Sequence, residues 1–220
     1  MQKRACFISF EGGEGSGKST QIALLSDRLR AIGCMTRVLR EPGGTFLGEE
    51  VRHILKRAPS DPRSELLLFA ASRAQLVTEI IRPALADNET VICDRFTDST
   101  IAYQGAGRGL SSEIIATINA FATGGLTPDL TVLLDLPPSA GIARVHARAS
   151  LTTTPLPPDH IEMLDIAFHE RVRTCYLELA AREPERFFVI DARQPQQAIA
   201  DQIWRHIAEK LGLPLFAQPA

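Results

Sequence analysis

The sequence predicts a doubly wound α/β fold on a five-stranded parallel sheet, and three observations carry that expectation. Short apolar runs rich in β-branched residues alternate with longer stretches of helical period. The first such run ends in a glycine-rich turn that opens straight into a helix. The 220 residues, 45% of them hydrophobic, can bury one large core, and length favours one domain over residues 1–220.

The strands are expected at about Ala5 to Glu11, Thr36 to Arg40, Thr90 to Asp94, Leu130 to Asp135 and Phe187 to Asp191. Between them, Ile22, Leu25, Leu29 and Ile32 recur at helical spacing, as do Leu164, Phe168, Val172, Cys175 and Leu179, and then Ile199, Ile203, Ile207 and Leu211. These stripes read as core. The threonine- and proline-rich stretch Ser150 to Asp159 favours neither helix nor strand and reads as a surface loop within a lid segment of about 145–162. Residues 213–220 read as a loose tail.

Composition excludes several classes of function. A net charge of −2 without a long basic run argues against a nucleic-acid partner. The run after Lys3-Arg4 is too short for a signal segment, and no stretch approaches the ~20 apolar residues of a membrane span, which places the chain in the cytoplasm. Cys6, Cys34, Cys93 and Cys175 lack paired or metal-like spacing and read as free thiols. The histidines suggest no metal site or catalytic dyad. His53, His146, His169 and His206 read as solvated helix residues.

Chemistry enters at Gly12-Gly13-Glu14-Gly15-Ser16-Gly17-Lys18-Ser19, a complete G-x-x-x-x-G-K-[ST] match between strand and helix. Such a loop turns consecutive N–H groups toward one phosphate, and the helix beginning near Lys18 adds the positive end of its dipole. Lys18 is expected on the β- and γ-phosphates of ATP, the Ser19 hydroxyl on Mg²⁺, and Thr20 completes the nucleotide-binding set. A glycine-rich turn with a solvated lysine is the bland reading, and it leaves the Lys-Ser pair unexplained. No N-K-x-D or D-x-x-G string occurs, so a kinase is favoured over a nucleotide-switched binding protein.

A kinase needs a second anion site. Asp94-Arg95, at the end of the third strand, can supply an arginine fork for an acceptor phosphate and a carboxylate for the metal shell or the arginine. Taken alone the pair is an ordinary strand-end ion pair. It does not stand alone. Phe10-Glu11-Gly12, Arg40-Glu41-Pro42-Gly43-Gly44-Thr45, Phe69-Ala70-Ala71-Ser72-Arg73, Asp94-Arg95-Phe96, Ser99-Thr100-Ile101-Ala102-Tyr103-Gln104-Gly105, Pro128-Asp129-Leu130 and Ile190-Asp191-Ala192 follow one another along the chain. In that order they resemble the bacterial thymidylate kinases over nearly the whole length.

The resemblance implies the nucleoside monophosphate kinase architecture with a short lid, ATP as donor, thymidine monophosphate as acceptor, Mg²⁺ and a homodimer. Phe69 would stack on the thymine ring and Arg73 would donate to its carbonyl. By themselves these are a core aromatic and a surface arginine. Thr100 would read the base edge, Tyr103 would crowd out a ribose 2′-hydroxyl, and Gln104 would add a polar contact. In isolation they and Ser99 read as the start of a helix. Glu11, Glu41 and Pro42 would line the acceptor sugar and phosphate, with Asp94 and Ser19 at the metal. Ala192 and Arg144 would flank the adenine. An apolar stripe of Ile114, Ile115, Ile118 and Phe121 could form a dimer face or simply core. Another nucleoside or nucleotide kinase is the nearest rival.

The chain departs from the family's pattern at the lid, where Asp159-His160-Ile161-Glu162 stands in place of an Asp-Arg-Ile-Glu string, and the phosphate loop carries Glu14 instead of an arginine. An unperturbed histidine is only about one-quarter charged at neutral pH. The transferring phosphoryl is therefore expected to be met by Arg148, with Lys18 and Arg95. Arg148→Ala should lower kcat by about three decades with little effect on thymidylate affinity, and His160→Ala should do far less at pH 8. Steady-state kinetics check this, and the reverse order would make His160 the lid cation.

Overall fold

The computed structural model describes residues 5–57, 60–150 and 164–214, so His160 and the rest of 151–163 lie outside the described residues. Strands Phe7–Glu11 (β1), Thr36–Arg40 (β2), Thr90–Asp94 (β3), Leu130–Asp135 (β4) and Phe187–Asp191 (β5) form one sheet in the order β2-β3-β1-β4-β5. All four neighbouring pairs are parallel. β1 begins at Phe7 instead of Ala5. Its pairing with β3 starts at Phe7 opposite Val91, and the Phe7 N–H is taken by the Asp129 carboxylate at 2.8 Å.

Helices Lys18–Ala31 (α1), Phe46–Arg57 (α2), Pro62–Leu76 (α3), Arg82–Ala86 (α4), Thr97–Thr100 (α5), Ser112–Thr123 (α6), Pro138–Ser150 (α7), Ile166–Arg182 (α8) and Gln196–Leu211 (α9) cover both faces. Two π-helical stretches interrupt them, Val77–Ile81 after α3 and Ile101–Gly107 after α5. Local chemistry sets several starts. Asp61 caps α3 through the Arg63 N–H at 3.0 Å, and Asp165 caps α8 through the Phe168 N–H at 2.7 Å. No helix among the described residues is long and apolar enough to cross a membrane.

On one face of the sheet Ile8, Phe10, Ile92, Val132 and Leu134 meet Ile22, Leu25 and Leu29 of α1 and Ile199, Ile203, Trp204 and Ile207 of α9. On the other, Phe7, Val91 and Cys93 pack against Leu76, Val77 and Ile81, and Leu133 and Phe187 against Tyr103, Phe168, Val172 and Tyr176. The four cysteines are free thiols, with Cys6, Cys34 and Cys93 buried. The α6 stripe divides: Ile115 is buried, while Ile114 and Phe121 stand 55% and 91% exposed.

Two histidines depart from the expected solvated state. His206 is half-buried and stacks on Phe188 with centroids 4.0 Å apart. His169 is buried because α8 turns it inward one turn before Arg173, and among the described residues its Nε2 has no hydrogen-bond partner.

A polar clamp ties α5 to the far side of the sheet. The buried Asp98 carboxylate accepts from Arg186 Nη1 at 2.6 Å, Nη2 at 2.9 Å and Thr131 Oγ1 at 3.2 Å. Asp98→Ala removes the buried one of the two carboxylates on Arg186, leaving Glu183 on its Nε at 2.7 Å, and is expected to cost about 2 kcal/mol. Chemical denaturation measures it, and a loss under about 1 kcal/mol would reduce the clamp to a surface pair.

Candidate active site

Sheet order brings the site together. β1 lies between β3 and β4, so the ends of three strands, Glu11, Asp94-Arg95 and Asp135, surround the loop that leaves β1, at the edge where open α/β sheets hold ligands. The loop reaches α1 through Gly17, whose φ of 93° makes it a left-handed N-cap. Lys18 folds back over it, donating to the carbonyls of Gly12 and Gly13 at 3.1 Å each. Burial and Arg95 lower the Lys18 pKa against the pull of Glu14, Asp94 and Glu11. Ser19 Oγ donates to Asp94 Oδ2 at 3.2 Å, so the two expected metal ligands are adjacent.

Arg95 has a φ of 72°, a conformation unfavourable for a side chain with a Cβ. Its N–H is held by the Phe10 carbonyl at 3.0 Å, and the turn aims the guanidinium back across the phosphate loop. There it donates to Gly12 O and Ser99 Oγ at 3.3 Å each and to Glu14 Oε1 at 2.7 Å, and lies 4.8 Å over the Tyr103 ring. The Tyr103 hydroxyl donates to the same Glu14 oxygen at 2.9 Å. Burial alone would raise the Glu14 pKa, but Arg95, Lys18 and Tyr103 outweigh it and hold the carboxyl below its ordinary value.

Beneath lies Glu11, wholly buried. It accepts from the Phe96 N–H at 2.8 Å and, at Oε2, from the Ser99 and Tyr176 hydroxyls at 2.6 and 2.8 Å. Burial and the nearby Asp98 prevail over those donors and push its pKa up to about 7. Beside it, Arg73 is 1% exposed and paired with Glu41, and its remaining N–H groups go to Thr100, Asn119 and the Phe96 carbonyl. Phe69 is half-buried on the same helix, Pro42 is buried after a cis bond from Glu41, and Gln104 Nε2 turns to Glu65 at 2.8 Å.

On the donor side, Arg144 reaches the Ala192 carbonyl at 3.1 Å and the Gly15 carbonyl at 3.5 Å, bridging the loop after β5 to the phosphate loop. Thr20 is exposed, and so is Arg148 in the last turn of α7.

The family model described as thymidylate kinase matches residues 10–203. The chain is 50% identical over 206 residues to the thymidylate kinase of Deinococcus radiodurans, covering 93% of this chain and 97% of that one. It is 49% identical over 208 residues to that of Solidesulfovibrio magneticus, covering 93% and 100%. The crystal structure of thymidylate kinase from Ehrlichia chaffeensis superposes with a TM-score of 0.74 at 34% identity, covering 93% of this chain and 99% of that one. The chain belongs to the thymidylate kinase family.

Within that thymidylate kinase frame, several site groups lie outside the motifs. Tyr176 and Arg173 project from α8, the first onto Glu11 and Ser99, the second onto Asp135 at 2.7 and 2.9 Å. The tyrosine at position 176, beside the apolar stripe Phe168, Val172 and Leu179, was the available signal for the first. Nothing local marked Glu65 or Asn119, which reach the site only through the packing of α3 and α6.

Gly141 is another such residue. A Cβ on it would lie 2.2 Å from the Glu14 carbonyl, and a Cβ on Gly15 would lie 2.2 Å from the Gly141 carbonyl, so α7 and the phosphate loop touch backbone to backbone. Gly141→Ala must push the loop away. It is expected to raise KM for ATP at least about tenfold while changing the melting temperature by only a few degrees, since the strain falls on a loop. An unchanged KM would mean that the loop yields freely.

Proposed function

We propose that this chain transfers the γ-phosphoryl of ATP to thymidine monophosphate, giving thymidine diphosphate and ADP. The observation that carries the reading is the placement of a second cation, Arg95, within 3.3 Å of the Gly12 carbonyl of the phosphate loop, in a chain of the thymidylate kinase family. Two phosphate-binding groups facing each other across one loop are what transfer between two phosphates requires.

An oxygen of the acceptor phosphate attacks the γ-phosphorus in line, the bond from that phosphorus to the β,γ-bridging oxygen breaks, and ADP departs. No covalent intermediate on the protein is needed. Lys18 follows the β- and γ-phosphates and Arg95 the acceptor phosphate, while Arg148, at the open end of α7, supplies a third cation. Ser19 and Asp94 offer two hard oxygens 3.2 Å apart, which suits Mg²⁺, an ion that keeps several waters and takes few protein ligands. Bound there, Mg²⁺ would offset charge on the β- and γ-phosphates. Phe69, Arg73, Thr100, Tyr103 and Gln104 form the base and sugar side, with Glu11, Glu41, Pro42 and Ser99 behind the acceptor phosphate. Thr20, Arg144 and Ala192 complete the donor side.

The whole chain reads as one cytoplasmic kinase unit with small-molecule substrates and no nucleic-acid or membrane partner. It pairs as a homodimer through the face that leaves Phe121 and Ile114 of α6 and Leu67 of α3 exposed. Side chains of that size, exposed together on packed helices, are what a second copy covers.

With ATP and a panel of deoxynucleoside monophosphates, thymidine monophosphate is expected to give the highest kcat/KM, and Lys18→Met should lower turnover at least about a thousandfold. Faster use of another acceptor would favour the rival kinase. Tight ATP binding without turnover on any acceptor would favour a nucleotide-switched protein.

A further inference from the structure

Arg73 carries five N–H groups and no acceptor, and the protein itself uses all five. Nε and one Nη2 hydrogen go to Glu41 Oε2 at 2.9 and 2.7 Å, and Nη2 also meets the Phe96 carbonyl at 3.1 Å. Nη1 is divided between Thr100 Oγ1 at 2.9 Å and Asn119 Oδ1 at 2.8 Å. The guanidinium lies 5.3 Å over the Phe96 ring. Glu41 holds one edge of the plane, and Asn119 is what holds the opposite edge apart from Thr100.

Asn119 suits this position chemically. It is 7% exposed on α6, and its Nδ2 donates to the Thr97 carbonyl at 3.4 Å. Arginine only donates and a carbonyl only accepts, so the carboxamide can face them in one orientation alone. An aliphatic side chain would leave a buried Nη1 hydrogen unpaired. A carboxylate would set a second negative charge opposite Glu41 and turn a lone pair toward the Thr97 carbonyl.

The fixed guanidinium has a consequence for Thr100. Arg73 occupies a lone pair of the Thr100 hydroxyl, which leaves the hydroxyl proton to donate elsewhere. Arg73 and Thr100 together therefore present the guanidinium's positive charge and the hydroxyl proton, the wall that an acceptor base would meet. Thymine offers a carbonyl at C4, where cytosine carries an amino group, and such a wall attracts the first and opposes the second. We propose that Asn119 is a specificity-determining positioning residue: by pinning Arg73 it keeps that wall in register with the acceptor base. The inference rests on the reading that the acceptor's pyrimidine lies between Phe69 and the Arg73–Thr100 pair.

The test compares the full-length wild type with Asn119→Leu, which keeps the branching at Cγ but replaces the carboxamide by methyl groups, and Asn119→Ser, which keeps a smaller acceptor, using thymidine monophosphate and deoxycytidine monophosphate as acceptors. For Asn119→Leu we expect KM for thymidine monophosphate to rise roughly tenfold and the thymidine-to-cytidine ratio of kcat/KM to fall roughly tenfold, the size of effect expected when a buried donor on a substrate-reading group loses its acceptor. KM for ATP should stay within about twofold, because the phosphate loop is untouched, and Asn119→Ser should fall between Leu and wild type. A merely structural role would lower the active fraction and leave KM and the ratio unchanged, and that result overturns the inference. Arg73→Lys separates the two levels. If it collapses the base preference and neither Asn119 variant does, the inference fails alone. If it leaves the preference intact, the placement of the base fails and takes the inference with it.

Discussion

The site depends on the parallel register that sets Phe10 of β1 opposite Asp94 of β3. Because the two strands run the same way and end together, the chain leaving β1 and the chain leaving β3 must part on the same edge of the sheet. The first becomes the phosphate loop. The second turns at Arg95, and the hydrogen bond from its N–H to the Phe10 carbonyl extends the ladder by one step. A shift of one residue would carry the arginine to the other face of the sheet, as alternation along a strand demands. Burial on both faces makes such a shift expensive, since Phe7, Ile8 and Phe10 all sit in the core.

Above that frame the site balances charges locally. Glu14 faces Arg95, Glu41 faces Arg73, Glu65 faces Arg108 and Asp135 faces Arg173. Each pair joins two elements distant in sequence, and each partner is drawn from a strand, helix or loop that the core has already fixed. They add little net stability, because desolvation or solvent screening offsets their attraction, but breaking the buried Glu41–Arg73 pair leaves a charge in a dry place. Their effect is geometric: they set where each guanidinium points. Glu11 stands apart from these pairs. It has hydroxyl and amide donors but no bonded cation, and accordingly its proton stays on into the neutral range, with a pKa of about 7.

Much of this was legible in the sequence because period and punctuation act locally. β2 through β5 were readable to the residue, since β3, β4 and β5 are short, largely apolar runs bounded by polar or turn residues and β2 centres on Val38-Leu39 between flanking turns. The phosphate loop, Asp94-Arg95 and the Arg40 to Thr45 block were legible as strings. What stayed hidden was contributed by helices whose inward faces look like plain core. In α8 the stripe through Phe168 and Val172 also carries His169, Arg173 and Tyr176 toward the site, and no pattern of hydrophobicity separates a tyrosine that only packs from one that also bonds Glu11. The depth of Arg73 was equally unreadable, because it follows from Glu41, Thr100 and Asn119 meeting in space across some eighty residues of chain.

The closeness of Glu14 to Arg95 bears on how anions arrive. Around the phosphate loop the two cations Lys18 and Arg95 are matched by Glu14 and Asp94, so the nearest charges cancel and little field extends into solvent. Capture of nucleotides then owes little to long-range attraction, and the association rate should respond only weakly to ionic strength. A phosphate on this loop would be held at contact, through its amides and helix dipole, and not drawn from a distance. Such a neutral entrance gives indiscriminate polyanions no advantage over a ligand whose phosphates fit the loop itself.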